Sequence, residues 1–167
     1  MTDGQIDNVV DKFRAAVRKH QSEFGSDAVQ QVLGVENLGM ELLAPFRRRV
    51  EAASGMIVRR VRVVRSRTPQ QVLDATGRKQ YTDRNVVGTM PRGEDEEVEV
   101  IFFKVGGFIS DEDLEKEYEL RGLKPVDAYS LAAVNEEDLA FADGHPNCTH
   151  WKDAKGQWCY AAFDRWL

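Results

Sequence analysis

His145, Cys148, His150 and Cys159 place two imidazoles and two thiols between residues 145 and 159. Four nitrogen and sulfur donors are what a tetrahedral zinc takes. The spacing is H-x2-C-x-H-x8-C, without the C-x2-C or H-x3-H pairs of common zinc signatures. The same stretch reads as a hairpin. Residues 149–152 and 158–163 flank Asp153-Ala154-Lys155-Gly156, which suits a type I turn followed by a left-handed glycine. With Asp153 opposite Gln157, Trp151 faces Cys159 and His150 faces Tyr160. Cys148 and His150 then point to one side of the hairpin and Cys159 to the other, so alternation opposes both a metal quartet and a Cys148–Cys159 disulfide. On the alternative reading Cys159 is a small buried apolar residue and His145 and His150 lie at the surface or in loops.

The hairpin also concentrates Trp151, Trp158, Tyr160, Phe163 and Trp166. One face must pack on the domain. Trp158 and Tyr160 are candidates for an exposed interaction surface, because exposed aromatics mark binding sites. Core and edge packing is the preferred account of them.

A second chemistry follows from charge. Residues 47–79 hold ten Lys or Arg against Glu51 and Asp74, whereas residues 94–119 hold eleven acids against Lys104 and Lys116. Arg47, Arg48, Arg49, Arg59, Arg60, Arg62, Arg65 and Arg67 are therefore candidate phosphate contacts for a nucleic acid. A structural reading competes with this one. Pairing a strand around Val61 with a strand around Val98 puts valines on one face and sets Arg60 and Arg62 against Glu97 and Glu99. The two runs would then neutralise each other. The net charge of −5 lacks the footprint of a nucleic-acid binder. Arg47, Arg48 and Arg49 fall outside this pairing, and a basic run there also complements a helix C-terminus.

No nucleophile elbow, phosphate loop, dinucleotide fingerprint or metal-hydrolase helix is present. Gly106-Gly107 precedes Asp111-Glu112-Asp113, whose carboxylates would repel phosphate. No catalytic residue is assigned and no cofactor is expected.

The elements that position these residues begin with an amphipathic helix over 4–24. It carries Ile6, Val9, Val10, Phe13, Val17 and Phe24, has a Thr2/Gln5 capping box, and ends at Gly25. A second helix runs from an N-cap at Ser26 to Leu33. A third runs to Ser54, with a break or bend near Ala44 imposed by Pro45. Strands follow at 56–65 and 97–105. Thr68 caps a helix to Ala75, Thr82 a turn to Val87, Ser110 a helix over 111–121, and Asp127 a helix to about Asn135. Helices first and separated strands later imply an α+β fold. A helical N-terminal segment, 1–55, precedes an α+β part, 56–167. That part holds a small, mostly antiparallel sheet, short helices and the C-terminal hairpin, and the whole reads as one compact domain.

The chain has 167 residues, 42% apolar and 31% charged, the composition of a folded protein. It shows neither a signal peptide nor a membrane span, and its two cysteines suggest no disulfide framework, so the cytoplasm is expected. The stretches RTPQQVLDATGRKQYTD, SDEDLEKEYELRGLKP and THWKDAKGQWCYAAF resemble a group of uncharacterised bacterial proteins. That resemblance implies a bacterial or bacteriophage origin but no activity. The function expected first is a non-enzymatic protein–protein interaction or accessory module, self-associating through residues 4–54. A nucleic-acid module using 47–79 comes second, and a small metal- or His-dependent enzyme third.

Overall fold

The computed structural model describes residues 1–165. In chain order its elements are α1 (Asp3–Lys19), a 3-10 turn (Gln21–Glu23), α2 (Ser26–Leu33), α3 (Leu38–Ser54), β1 (Met56–Arg62), α4 (Pro69–Ala75), α5 (Arg84–Val87), β2 (Glu97–Phe103), α6 (Asp111–Leu120), α7 (Ala128–Glu137), α8 (Phe141–Gly144), β3 (Asn147–Lys152) and β4 (Trp158–Phe163). The fold is α+β, with helices leading. Among the described residues the strands form two antiparallel pairs, β1-β2 and β3-β4. No described helix is long and apolar enough to cross a membrane. The chain divides into two compact units, Met1–Val50 and Glu51–Leu167, where the sequence suggests one domain with a seam at residue 55.

In the first unit α1 opens on a complete capping box. The Gln5 amide donates to the Thr2 hydroxyl at 3.3 Å, and the Thr2 amide donates to Gln5 Oε1 at 2.9 Å. The helix stops at Lys19 rather than continuing to Phe24. The chain tightens into the 3-10 turn instead, across which His20 Nδ1 and Glu23 Oε1 lie 2.7 Å apart. Gly25 is consequently extended, at φ −72° and ψ 133°, and serves as N-cap of α2 in place of Ser26. Of the expected break or bend near Ala44, the break does not occur: helix α3 continues through Pro45. The surrounding residues are exposed, so water can serve the carbonyl that Pro45 leaves without a donor. No residue in 1–50 is buried.

In the second unit β1 and β2 pair with Val61 opposite Val98, Arg60 opposite Glu99 and Arg62 opposite Glu97. Both strands stop short of their expected ends, although the Val63 amide still reaches the Glu96 carbonyl at 2.7 Å. Asp83 caps α5 where Thr82 was expected, its carboxylate accepting from the Asn85 amide at 2.8 Å. Helix α8 lies in a stretch that reads as loop.

Helix α7 is the centre of this unit. It touches β1, β2, β3, β4, α4 and α8, and every residue from Ala128 to Asn135 is buried. A helix surrounded on all sides has no polar face, so its backbone ends and its few polar side chains must find partners inside the protein. Asp127 caps the first turn, accepting from the Ser130 amide at 2.9 Å. The Tyr129 hydroxyl donates to the Arg67 carbonyl at 3.0 Å. Asn135 donates to the Leu131 carbonyl at 2.9 Å and to Asn147 Oδ1 at 3.1 Å. Asn147 in turn donates to the His145 carbonyl at 2.8 Å.

Arg65 joins three segments at the same helix end. Its guanidinium donates to Asp127 Oδ1 at 2.6 Å, to Ser130 Oγ at 2.9 Å, to the Asp95 carbonyl at 2.9 and 2.7 Å, and to the Arg92 carbonyl. Gly93, at φ +65°, passes so close that a Cβ there would lie 2.5 Å from Asp127 Oδ2. Asp127→Ala removes both the cap and the partner of a largely buried cation, and is expected to cost about 3–5 kcal/mol in urea unfolding. A loss under about 1 kcal/mol would mean that Arg65 does not organise this junction.

Candidate functional site

The β3-β4 hairpin has the expected register, with Trp151 opposite Cys159 and His150 opposite Tyr160. Its inward face carries Asn147, Thr149, Cys159 and Phe163, all buried. His150 points to the other face, yet only 5% of it is exposed. Helix α6 covers it there. Asp111 and Glu115, one turn apart on α6, each place a carboxylate oxygen 2.8 Å from one ring nitrogen, Asp111 at Nδ1 and Glu115 at Nε2. Trp158, the diagonal neighbour on β4, stacks on the imidazole at 4.4 Å and 14°. Tyr118 meets the ring edge-on at 5.9 Å. The Lys152 ammonium lies 4.5 Å from the Trp158 ring centroid.

This arrangement fixes what His150 can do. A general base or metal ligand needs a ring nitrogen with a free lone pair. Here both nitrogens face carboxylate oxygens at hydrogen-bond distance, so neither is open to a substrate or a metal ion. His150 therefore acts as a clamp that fastens α6 to the hairpin. An open cavity of about 630 Å³ lies alongside it, walled by Glu112, Glu115, Lys116, Glu119 and Trp158 among others, with no Ser, Thr or Cys in its lining.

The sequence-predicted residues fare as follows. His145, Cys148, His150 and Cys159 are not gathered, and among the described residues no three His, Cys, Asp or Glu side chains could hold a metal ion together. His145 is exposed and lies 5.3 Å from the Phe141 ring. Cys148 is exposed and Cys159 is buried, both as free thiols. Cys159 lies 4.0 Å from the Thr89 hydroxyl. His150 is neither a surface nor a loop residue, because α6 closes over the outward face of the hairpin.

Of the eight candidate phosphate-binding arginines, those of the second unit are paired with acids. Arg60 Nε bonds Glu99 at 2.9 Å, and Arg62 reaches Glu96 at 3.7 Å rather than its cross-strand neighbour Glu97. Arg59 bonds Glu51 and lies 5.0 Å from the Phe141 ring centroid. Arg65 is held by Asp127, and Arg67 bonds Glu136 at 2.6 Å, a contact that raises its pKa further. Arg47, Arg48 and Arg49 are exposed on α3 and enter no ion pair among the described residues. Of the proposed interaction surface, Tyr160 is 65% exposed, while Trp158 is half-buried between His150 and Lys152. Trp166 lies outside the described residues.

Larger apolar surfaces lie in the first unit. Phe24, Val32, Leu33, Met40, Leu42 and Val50 are exposed, as are Ile6, Val10, Phe13 and Val17 of α1. The Asp111–His150–Glu115 clamp and the Arg65–Asp127 junction went unread in the sequence. The only local signal for the clamp was two carboxylates four residues apart on one helix face. No protein-family model, curated protein or solved structure matches the chain.

Two measurements check this site. His150→Phe keeps the ring stack but removes both ring nitrogens, and is expected to lower stability by about 1–3 kcal/mol while leaving the helix content intact. An unchanged unfolding midpoint would refute the clamp. Burial pushes the Tyr118 hydroxyl up to about 12, with Cys148 and Glu115 adding to the shift. A raised folded-state value means that this contribution to stability is whole below about pH 10 and is lost as pH climbs through the folded value. Alkaline titration should therefore show a phenolate step near pH 12 that Tyr118→Phe abolishes.

Proposed function

We propose that this protein is a non-enzymatic interaction module that docks a protein partner through its N-terminal helices. The observation that carries this reading is the first unit itself. Its helices present Ile6, Phe13, Leu33, Met40 and Leu43 to solvent, and no residue in 1–50 is buried. Helices of this length draw their stability from covering an apolar face, so an uncovered face asks for a partner. The chemistry-bearing side chains of the second unit support the same reading, because Arg59, Arg60, Arg65, Arg67 and His150 each already meet an acidic side chain of the chain itself.

A photo-cross-linking residue placed at Phe13 or Leu43, in the cells the protein comes from, is expected to capture a defined protein. The same residue at Asn8, which lies opposite the apolar stripe of α1, is expected to capture none. Equal labelling from all three positions, or none from any, would reject docking through these helices.

A further inference from the structure

Helix α1 sorts its charges by sign along its length. Asp3, Asp7 and Asp11 precede Lys12, Arg14, Arg18 and Lys19. Its apolar residues Ile6, Val10, Phe13 and Val17 follow at intervals of four, three and four, the alternation of a coiled-coil seam. These side chains are 43, 46, 53 and 42% exposed. Asp7 and Arg14 directly follow Ile6 and Phe13, so they line the same flank of the seam, seven residues apart.

We propose that this seam pairs with α1 of a second copy of the chain, antiparallel and two-fold symmetric. The proposal rests on the docking reading and names its partner. Three features favour this occupant. First, reversing one helix against the other lays the acidic half of each along the basic half of its mate, whereas a parallel pair would level acids with acids. Second, a single register satisfies core and flank together. Val10 meets Phe13 of the second copy, Ile6 meets Val17, and Asp7 falls beside Arg14 on the same flank. Third, a two-fold axis repeats every one of these contacts, so one surface completes itself, as isologous interfaces require. The helix spans 17 residues, a short seam, so the assembly is concentration-dependent.

Sedimentation of the full chain over a dilution series tests it. The average mass should climb toward that of two chains as concentration rises. Arg14→Asp alone and Asp7→Arg alone each bring like charges together at both symmetry-related contacts on that flank, and each should return the mass to one chain. The double variant D7R/R14D restores opposite charges and should restore the doubling. Both positions are exposed, and circular dichroism checks that each variant keeps its helices. A one-chain mass at every concentration, a doubling indifferent to the single reversals, or a folded double variant that stays single would each overturn the proposal. A one-chain mass together with a cross-link from Phe13 to a different protein removes self-pairing and leaves the docking reading standing. A one-chain mass with no cross-link removes both.

Discussion

The second unit depends on how Arg65 meets the start of α7. A helix buried on every side must anchor its first turn inside the protein, where unpaired amides and carboxylates are costly. Asp127 caps that turn and carries a charge, and the charge is acceptable there because Arg65 lies against it at 2.6 Å. The same guanidinium binds the carbonyls of Arg92 and Asp95, which fixes the loop ahead of β2. Gly93 is required at the point of closest approach, since a side chain would collide with the Asp127 carboxylate. Strand, loop and helix are therefore positioned by one planar donor group, whose fork of N–H bonds a lysine could not reproduce.

The same economy governs the rest of the charge. Arg59, Arg60, Arg62, Arg65 and Arg67 of the basic stretch each meet an acid within the second unit, while Arg47, Arg48 and Arg49 stay exposed on α3. Exposed pairs such as Arg60 with Glu99 contribute little energy but discourage a slipped register, because a slip would set like charges together. More enclosed groups do more. Arg59 and Arg78 tie distant segments, Arg78 bonding Asp143 and the carbonyls of Leu139 and Asp164.

Local signals in the sequence were reliable where one residue type has one physical use. The capping boxes at Thr2 and Thr68, the Ser110 and Asp127 caps, and the left-handed Gly156 stand where expected. The β1-β2 register was legible because strand alternation must satisfy valines and charges together. The errors share a cause. Gly25 looked like a helix stop, but the turn had already closed at His20. Pro45 looked like a break or a bend, and the helix continues through it because an exposed helix tolerates one missing bond. His150 looked like a surface residue because alternation tells which side of a hairpin a residue faces, not whether a remote helix lies over it. Helix α7 sends no periodic signal strong enough to reveal that it is central, because a helix apolar all round has no preferred face.

The Asn135–Asn147 pair gives the core a single setting. Among aliphatic side chains a helix could slide by a turn and lose little, since one methyl substitutes for another. Two facing amides allow no such drift. Any displacement of α7 against β3 would leave donors and acceptors stranded where water cannot reach them. The amides act as an index pin, trading some gross stability for uniqueness, so this interior should tolerate changes in aliphatic volume more readily than the loss of either asparagine.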